Sequence, residues 1–375
     1  MALSRPPVSS LLPSAVALAN PEVDTNAVER AVALLRKAER PMIFVGSGAA
    51  DASQEVRELA ERLEAPVVCF RGGQGVLDAR HPLFQSLPGG HQLWHTADVV
   101  LGIGSRMEQP LLSWGLAPSM QLIRIDIDAQ EITRVAEPTV AVHADAREAL
   151  VQMNAELARV GHKARSRRQE LAELTIEIGR RIAGVEPQLS FIRAIRAALP
   201  EDGYYVDEIT QVGYCGWYAF PTYAPRHHVN CGYQGTLGYG YATALGVKVA
   251  HPDKAVVNIT GDGGFLFAAN ELATAAQNGI ALVTVLFNNR KFQNVQRQQD
   301  DWFGGRHIGS DLRNPDFQMF AQSFGVMASK VTTPEALEAE IRRALAANRP
   351  WLIEVEVGDM PTPWKHVLMP RVERG

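Results

Sequence analysis

The sequence predicts an α/β protein made of two doubly wound, parallel-sheet domains, a Rossmann-like domain followed by a second of the same class. Short β-branched runs alternate with amphipathic helices in two separate series, which is the pattern of βαβ units. The chain has 375 residues, enough for two cores, and 46% of them are hydrophobic.

Residues 1–24 are Pro- and Ser-rich and read as a linker or N-terminal extension. Their weak apolar run is broken by Pro13 and preceded by one basic residue, Arg5, a poor match to a signal peptide. A first domain over 25–151 opens with a helix carrying Val28, Ala31, Val32, Leu34 and Leu35 on one face. The strand PMIFVGSG, the helix VRELAERL, and the strands PVVCF, DVVLGIGS and QLIRIDID follow, and the domain closes near Ala141 to Val151. Residues 152–187 are charged and Arg-rich and predict a surface linker helix. The second domain, 188–357, begins with the helix SFIRAIRAALP and continues through the strands GYYVDEIT, KAVVNIT and ALVTVLFNN to a helix after Pro334 and the strand WLIEVEVG. The tail, 358–375, contains Pro361, Pro363 and Pro370 and is expected to lie extended over the surface.

Composition narrows the function. A net charge of −4 with interleaved signs argues against a nucleic-acid partner or an anionic membrane surface. No apolar run reaches the roughly 18–20 residues that cross a bilayer. Cys69, Cys215 and Cys231 have neither disulfide nor metal-ligand spacing and read as buried thiols in a reducing, cytoplasmic compartment.

One segment carries chemistry. In VVNITGDGGFLFAANELATAAQNGIALVTVLFNN the first strand ends at Gly261, Asp262, Gly263 and Gly264. A helix N-capped by Asn270 and stopped by Gly279 follows, and the next strand ends at Asn288 and Asn289. Both strands of a βαβ unit point the same way, so Asp262 and Asn289 emerge at the carboxyl edge of the sheet, where open α/β sheets bind ligands. An isolated Gly-Asp-Gly is ordinarily a tight turn. Here a carboxylate and a carboxamide converge beside glycines that admit close backbone approach, a donor set suited to magnesium bridging a diphosphate.

These residues resemble the signature of thiamine-diphosphate (ThDP) enzymes, in the group of acetolactate synthase and benzoylformate decarboxylase. The resemblance implies that Asp262, Asn289 and the backbone oxygen of Lys291 hold Mg2+, with the family's spacing of 27 residues between the first two. GYQGTLGYGYATALG is similar to the segment that wedges an apolar side chain between the cofactor rings, which nominates Leu237, with Gly235 alongside; plain core packing is the other reading of Leu237. VDEITQVG resembles the loop reaching the diphosphate and nominates Thr210 and Gln211. RNPDF and QSFG keep the family's spacing. GSGA, GSRME and RIDIDAQEI match the family's middle domain, which binds FAD in some members and nothing in others. On residues alone, Gly46 and Gly48 are a fragment of a dinucleotide fingerprint, with Asp51 where the third glycine belongs.

The family's activating glutamate lies in an N-terminal pyrimidine-binding domain outside the resemblance, so the catalytic residue is left unknown and a pyrimidine-binding domain on a separate chain is the expected partner. Glu208 and Glu271 are expected in surface or capping roles. The implied enzyme is a 2-oxo acid carboligase or decarboxylase, a homo- or hetero-oligomer. In NNRKFQNVQRQQDDWF, Gln298 stands where acetolactate synthase has tryptophan and Gln293 where a glycine is usual, which speaks against strict acetolactate synthase activity. His227 and His228 in PRHHVN are either polar groups near substrate or a solvated loop pair, the latter preferred, and His307 in GGRHIG reads as structural or part of a lid. A non-catalytic or regulatory ThDP-binding subunit, a truncated product, and a flavin- or nicotinamide-dependent oxidoreductase are the alternatives.

Overall fold

The computed structural model describes residues 19–232 and 234–373. The first sheet contains strands β1 (Met42–Val45), β2 (Val67–Cys69), β3 (Phe84–Gln85), β4 (Val99–Ile103), β5 (Gln121–Asp126) and β6 (Val140–His143), in the order β3-β2-β1-β4-β5-β6. The second contains β7 (Tyr204–Asp207), β8 (His228–Val229), β9 (Val256–Gly261), β10 (Val283–Asn288), β11 (Met327–Val331) and β12 (Trp351–Glu356), in the order β11-β12-β10-β9-β7-β8. Every pairing in both sheets is parallel, as the alternating pattern predicts.

Local chemistry explains the elements. Strands β1, β2, β4 and β10 are buried along their whole length, so their β-branched runs carry no polar alternation. Helices begin where a side chain can accept the first free N–H groups: Asp24 caps Thr25–Lys37, Asp145 caps Ala146–Arg159, Thr210 caps Gln211–Ala219 and Thr333 caps Pro334–Ala347. The helix Ala146–Arg159 runs through residue 151 and lays Ala149, Leu150, Met153 and Leu157 into the core. A second helix, Arg168–Ile182, occupies most of the charged stretch and buries Leu171, Leu174 and Ile178 beneath its arginines.

Two details differ from the sequence expectation. Asn270 caps no helix: a 3-10 turn over Ala269–Glu271 precedes the helix Leu272–Asn278, and the Asn270 amide donates to Glu271 instead. Gly279 ends that helix in the left-handed region, as expected. The tail does not simply lie over the surface. Met360, Val367, Met369 and Val372 are buried in a core shared by both domains, and the Val372 N–H donates to the Trp114 carbonyl 2.9 Å away in the first domain.

The two sheets are held as neighbours by polar ties as well as by this core. Gln74 donates to the Trp217 carbonyl at 2.7 Å, Arg71 lies 4.3 Å over the Trp217 ring, and Arg226 grips Asp51 through two 2.7 Å bonds. Asp51 thus spends its carboxylate on the second domain. At the switch point of the first sheet, between β1 and β4, the loops touch each other: a Cβ on Gly46 would fall 2.3 Å from the Gly104 carbonyl oxygen. Gly75 is a tight point of the domain contact. Its φ is +80° and a Cβ there would fall 2.0 Å from the Ala224 carbonyl oxygen. Gly75→Ala is expected to cost about 3 kcal/mol through strain and clash together, read as a lowered Tm by calorimetry; an unchanged Tm would contradict this packing.

Candidate functional site

In the second sheet the chain steps from β7 outward to β8 and then back across to β9, so β7 and β9 flank the topological switch point. Register places the strand ends side by side: Asp207 pairs with Ile259, and Phe287 pairs with Gly261. The loops leaving β7, β9 and β10 therefore open on one edge, around a cleft of about 200 Å³.

Each residue nominated for the cofactor or the cation lines this cleft. Gly261, Asp262, Gly263 and Gly264 come from the end of β9, and Asn289 and Lys291 from the end of β10. Thr210 and Gln211 come from the segment after β7, and Gly235 and Leu237 from the glycine-rich loop. Leu237 is 37% exposed, so core packing does not account for it. Gly263 and Gly264 are required by space: a Cβ on Gly263 would meet the Phe292 ring at 2.2 Å, and one on Gly264 would meet Glu208 Oε1 at 2.4 Å.

The Asp262 carboxylate is buried, with 3% exposure, yet it is held by donors. Oδ1 accepts from the Gly263 N–H at 3.0 Å; Oδ2 accepts from the Arg290 N–H at 2.7 Å and the Asn314 amide at 2.8 Å. Burial raises its pKa, and the Asn314 and backbone donors partly offset that rise. Asn288, the first of the pair, donates to Glu354 at 2.8 Å and accepts from the Asn314 amide at 2.9 Å, and Asn289 is the one that lines the cleft. The Asn289 amide donates to Gln293 Oε1 at 2.7 Å. Thr210 Oγ1 caps its helix by accepting from the Gly213 N–H at 2.9 Å, and the Gln211 Oε1 beside it is buried without a hydrogen-bond partner. Gln298 is farther along the helix Gln293–Phe303 and is not among the residues lining the cleft.

Glu208 is the main correction. It is no surface residue: it is 2% exposed, and its carboxylate accepts from the Gly238 N–H at 2.5 Å and from the Thr260 hydroxyl at 2.7 Å, with the Gly240 N–H also directed to it. The capping role holds, because those N–H groups belong to the start of the helix Tyr239–Ala250. Burial pushes its pKa above the usual value, offset in part by Thr260 and the two N–H donors. Glu271 is partly exposed and accepts from Asn270 and Thr274.

The histidine pair is not a solvated loop. His228 is 4% exposed in β8 and bonds to the buried Asp207 at 2.8 Å. His227 stacks on Tyr204 at 4.5 Å, at the amino end of β7 and hence the sheet edge opposite the cleft. His307 is exposed and bonds to Asp300 at 2.6 Å. The sequence reading did not single out Asn314, Tyr214, Phe292 or Met360. An asparagine in an RNPDF stretch was the one available signal for the first; the others are apolar or aromatic residues indistinguishable from core in sequence.

Glu208→Ala would leave two N–H groups and a hydroxyl without their acceptor, costing about 2–4 kcal/mol and loosening the glycine-rich loop, measurable as lowered Tm and faster amide exchange over 234–240. For the pH dependence the sign follows from the raised pKa: Glu208 favours folding fully below about 4.5, and that contribution is lost as pH rises through its folded-state value. Glu208→Gln cannot titrate, so its Tm relative to the wild type should improve as pH rises above about 4.5. A constant difference would refute the assignment.

Comparison with known families and proteins agrees with this geometry. Residues 28–153 match the family model described as thiamine pyrophosphate enzyme, central domain, and residues 208–355 match that described as thiamine pyrophosphate enzyme, C-terminal TPP binding domain. The chain is 30% identical over 352 residues to the acetolactate synthase large subunit of Haemophilus influenzae, covering 88% of this chain and 61% of that protein. It is 32% identical over 340 residues to a probable 2-ketoarginine decarboxylase of Pseudomonas aeruginosa, covering 88% and 60%. It is 32% identical over 355 residues to a probable acetolactate synthase large subunit of Methanocaldococcus jannaschii, covering 88% and 59%. The chain thus spans about 60% of the length of the curated relatives it matches.

Proposed function

Because the chain belongs to the thiamine pyrophosphate enzyme family, with its central and C-terminal TPP-binding domains, we propose that the cleft binds the diphosphate of ThDP through Mg2+ in a 2-oxo acid carboligase or decarboxylase. The observation that carries the reading is the convergence of Asp262, Asn289 and Lys291 with Thr210, Gln211, Gly235 and Leu237 on one cleft at the switch point.

The donor set fits the group. A buried carboxylate, a carboxamide and a backbone carbonyl are all oxygen ligands, the kind a hard cation takes alongside phosphate oxygens and water. Asp262 is held rigid by three donors, so a cation arriving there meets a preorganised negative charge. The amino end of the helix Gln211–Ala219 borders the same space through Thr210 and Gln211, where N–H groups favour an anion. Leu237 presents an apolar surface against which a ring can rest. When bound, ThDP supplies the carbanion chemistry that decarboxylates 2-oxo acids.

In this reading a pyrimidine-binding domain, from a partner chain or from sequence beyond this one, supplies the activating glutamate. Glu208 does not replace it, because its oxygens are already committed to Gly238, Gly240 and Thr260. The relatives' names include both a synthase and a decarboxylase, which fits the 2-oxo acid class.

The test is binding and turnover by the purified chain. Mg2+-dependent ThDP binding, measured by calorimetry, should be present and weak for the chain alone. Asp262→Ala should remove the metal dependence, and unchanged affinity would eliminate the ligand assignment. Pyruvate and other 2-oxo acids should be decarboxylated only when the chain is mixed with a pyrimidine-domain protein, and turnover by the isolated chain would overturn the shared-site reading.

A further inference from the structure

The side chain of Asn289 can act as a metal ligand through Oδ1 and not through its amide nitrogen. Which end faces the cleft is therefore decisive, and a half-turn of the amide would present two N–H donors to a cation. Something must hold the correct end.

The hydrogen bonds around Gln293 settle the polarity. Gln293 Nε2 donates to the Met360 carbonyl at 2.7 Å, and a carbonyl can only accept, so this end of the Gln293 amide must be the nitrogen. Its Oε1 is then the end turned to Asn289, whose Nδ2 donates to it at 2.7 Å. Asn289 Nδ2 is thereby committed away from the cation, and Oδ1 is the end left free for it. Three amide and carbonyl groups in series, Met360, Gln293 and Asn289, have one consistent direction; reversing Asn289 would set two oxygens against each other.

The same short segment is clasped at two further points. Lys291 Nζ pairs with Asp359 at 2.8 Å, and the Trp364 indole N–H donates to Asn294 Oδ1 at 2.7 Å. Trp364 also rests 4.5 Å from Tyr214, a residue of the cleft wall. Residues 291, 293 and 294, immediately after the asparagine pair, each hold one point of the stretch Asp359–Trp364.

We infer that Gln293 is a positioning residue that orients Asn289 for the cation and makes that orientation depend on docking of the C-terminal segment Asp359–Trp364. The inference rests on the ThDP and Mg2+ reading above. Its consequence is reciprocal: what the segment does for the cation, cation binding does for the segment.

The experiment uses the full chain with two substitutions. Gln293→Met keeps the size and removes both hydrogen bonds; Gln293→Glu keeps an oxygen for Asn289 and removes the donor to Met360. Mg2+-dependent ThDP affinity is measured by calorimetry, Tm by thermal melt, and backbone amide exchange over 361–368 with and without Mg2+ and ThDP. Gln293→Met should lose about tenfold or more in metal-dependent affinity, in the range seen when partners of metal ligands are removed, and its segment exchange should no longer slow on adding Mg2+ and ThDP. Gln293→Glu should keep affinity within a few-fold while segment exchange rises, which separates the two roles and serves if the Met variant fails to fold. A Met variant that binds like the wild type, or a Glu variant that loses the metal dependence, overturns the inference. If the wild type itself shows no Mg2+-dependent ThDP binding, the functional reading falls and this falls with it; if the wild type binds and Asp262→Ala does not, an unaffected Gln293→Met removes this inference alone.

Discussion

Parallel pairing of β9 between β7 and β10 is the constraint on which the candidate site depends. Register is all-or-none in a parallel sheet: a slip by one residue would turn Asp262 and its neighbours to the opposite face. With the observed register, three strands deliver a helix cap, a carboxylate between glycines and an asparagine pair to one edge. The pairing is secured by the continuous burial of β10 and of all but the last residue of β9, where any shift would break the packing of Val257, Ile259 and Val285.

Glu208 adds a second layer to this frame. A buried carboxylate is costly unless its oxygens are satisfied, and here the donors come from two different elements, the glycine-rich loop and β9. The charge therefore works as a knot: it fixes the loop carrying Gly235 and Leu237 relative to the strand carrying Asp262, while keeping its own oxygens out of the cleft. The absence of side chains at Gly240 and Gly264, whose Cβ atoms would come within 3 Å of Glu208, is the space in which the knot is tied.

The fold and the core of the site were legible because they follow from periodic patterns. Runs such as VVLGI and VTVLFN are long enough and β-branched enough to be strands, and an aspartate between glycines at one strand end with paired asparagines at the next leaves few geometries open. The two-residue strands β3 and β8 carry no period and escaped notice. Glu208 and His228 were misplaced for a related reason: one charged residue in a short run looks like an exposed position unless its partners are known, and those partners are far off in sequence, Asp207 for the histidine and Thr260 for the glutamate. Asn270 had the chemistry of a cap but not the backbone, since a 3-10 turn intervenes. The tail was read from its prolines alone, which report extension and say nothing of burial.

That tail ties together parts of the chain that lie far apart in sequence. The first domain can complete its sheet from residues before 144, yet the Trp114 carbonyl takes its partner from Val372, beyond the last strand of the second domain. Without it the two domains lose a strap that bridges them and the cleft loses its wall at Met360. The seam is thus non-local: a cut ahead of residue 359 would leave the residues of both sheets in place and remove the strap that joins them.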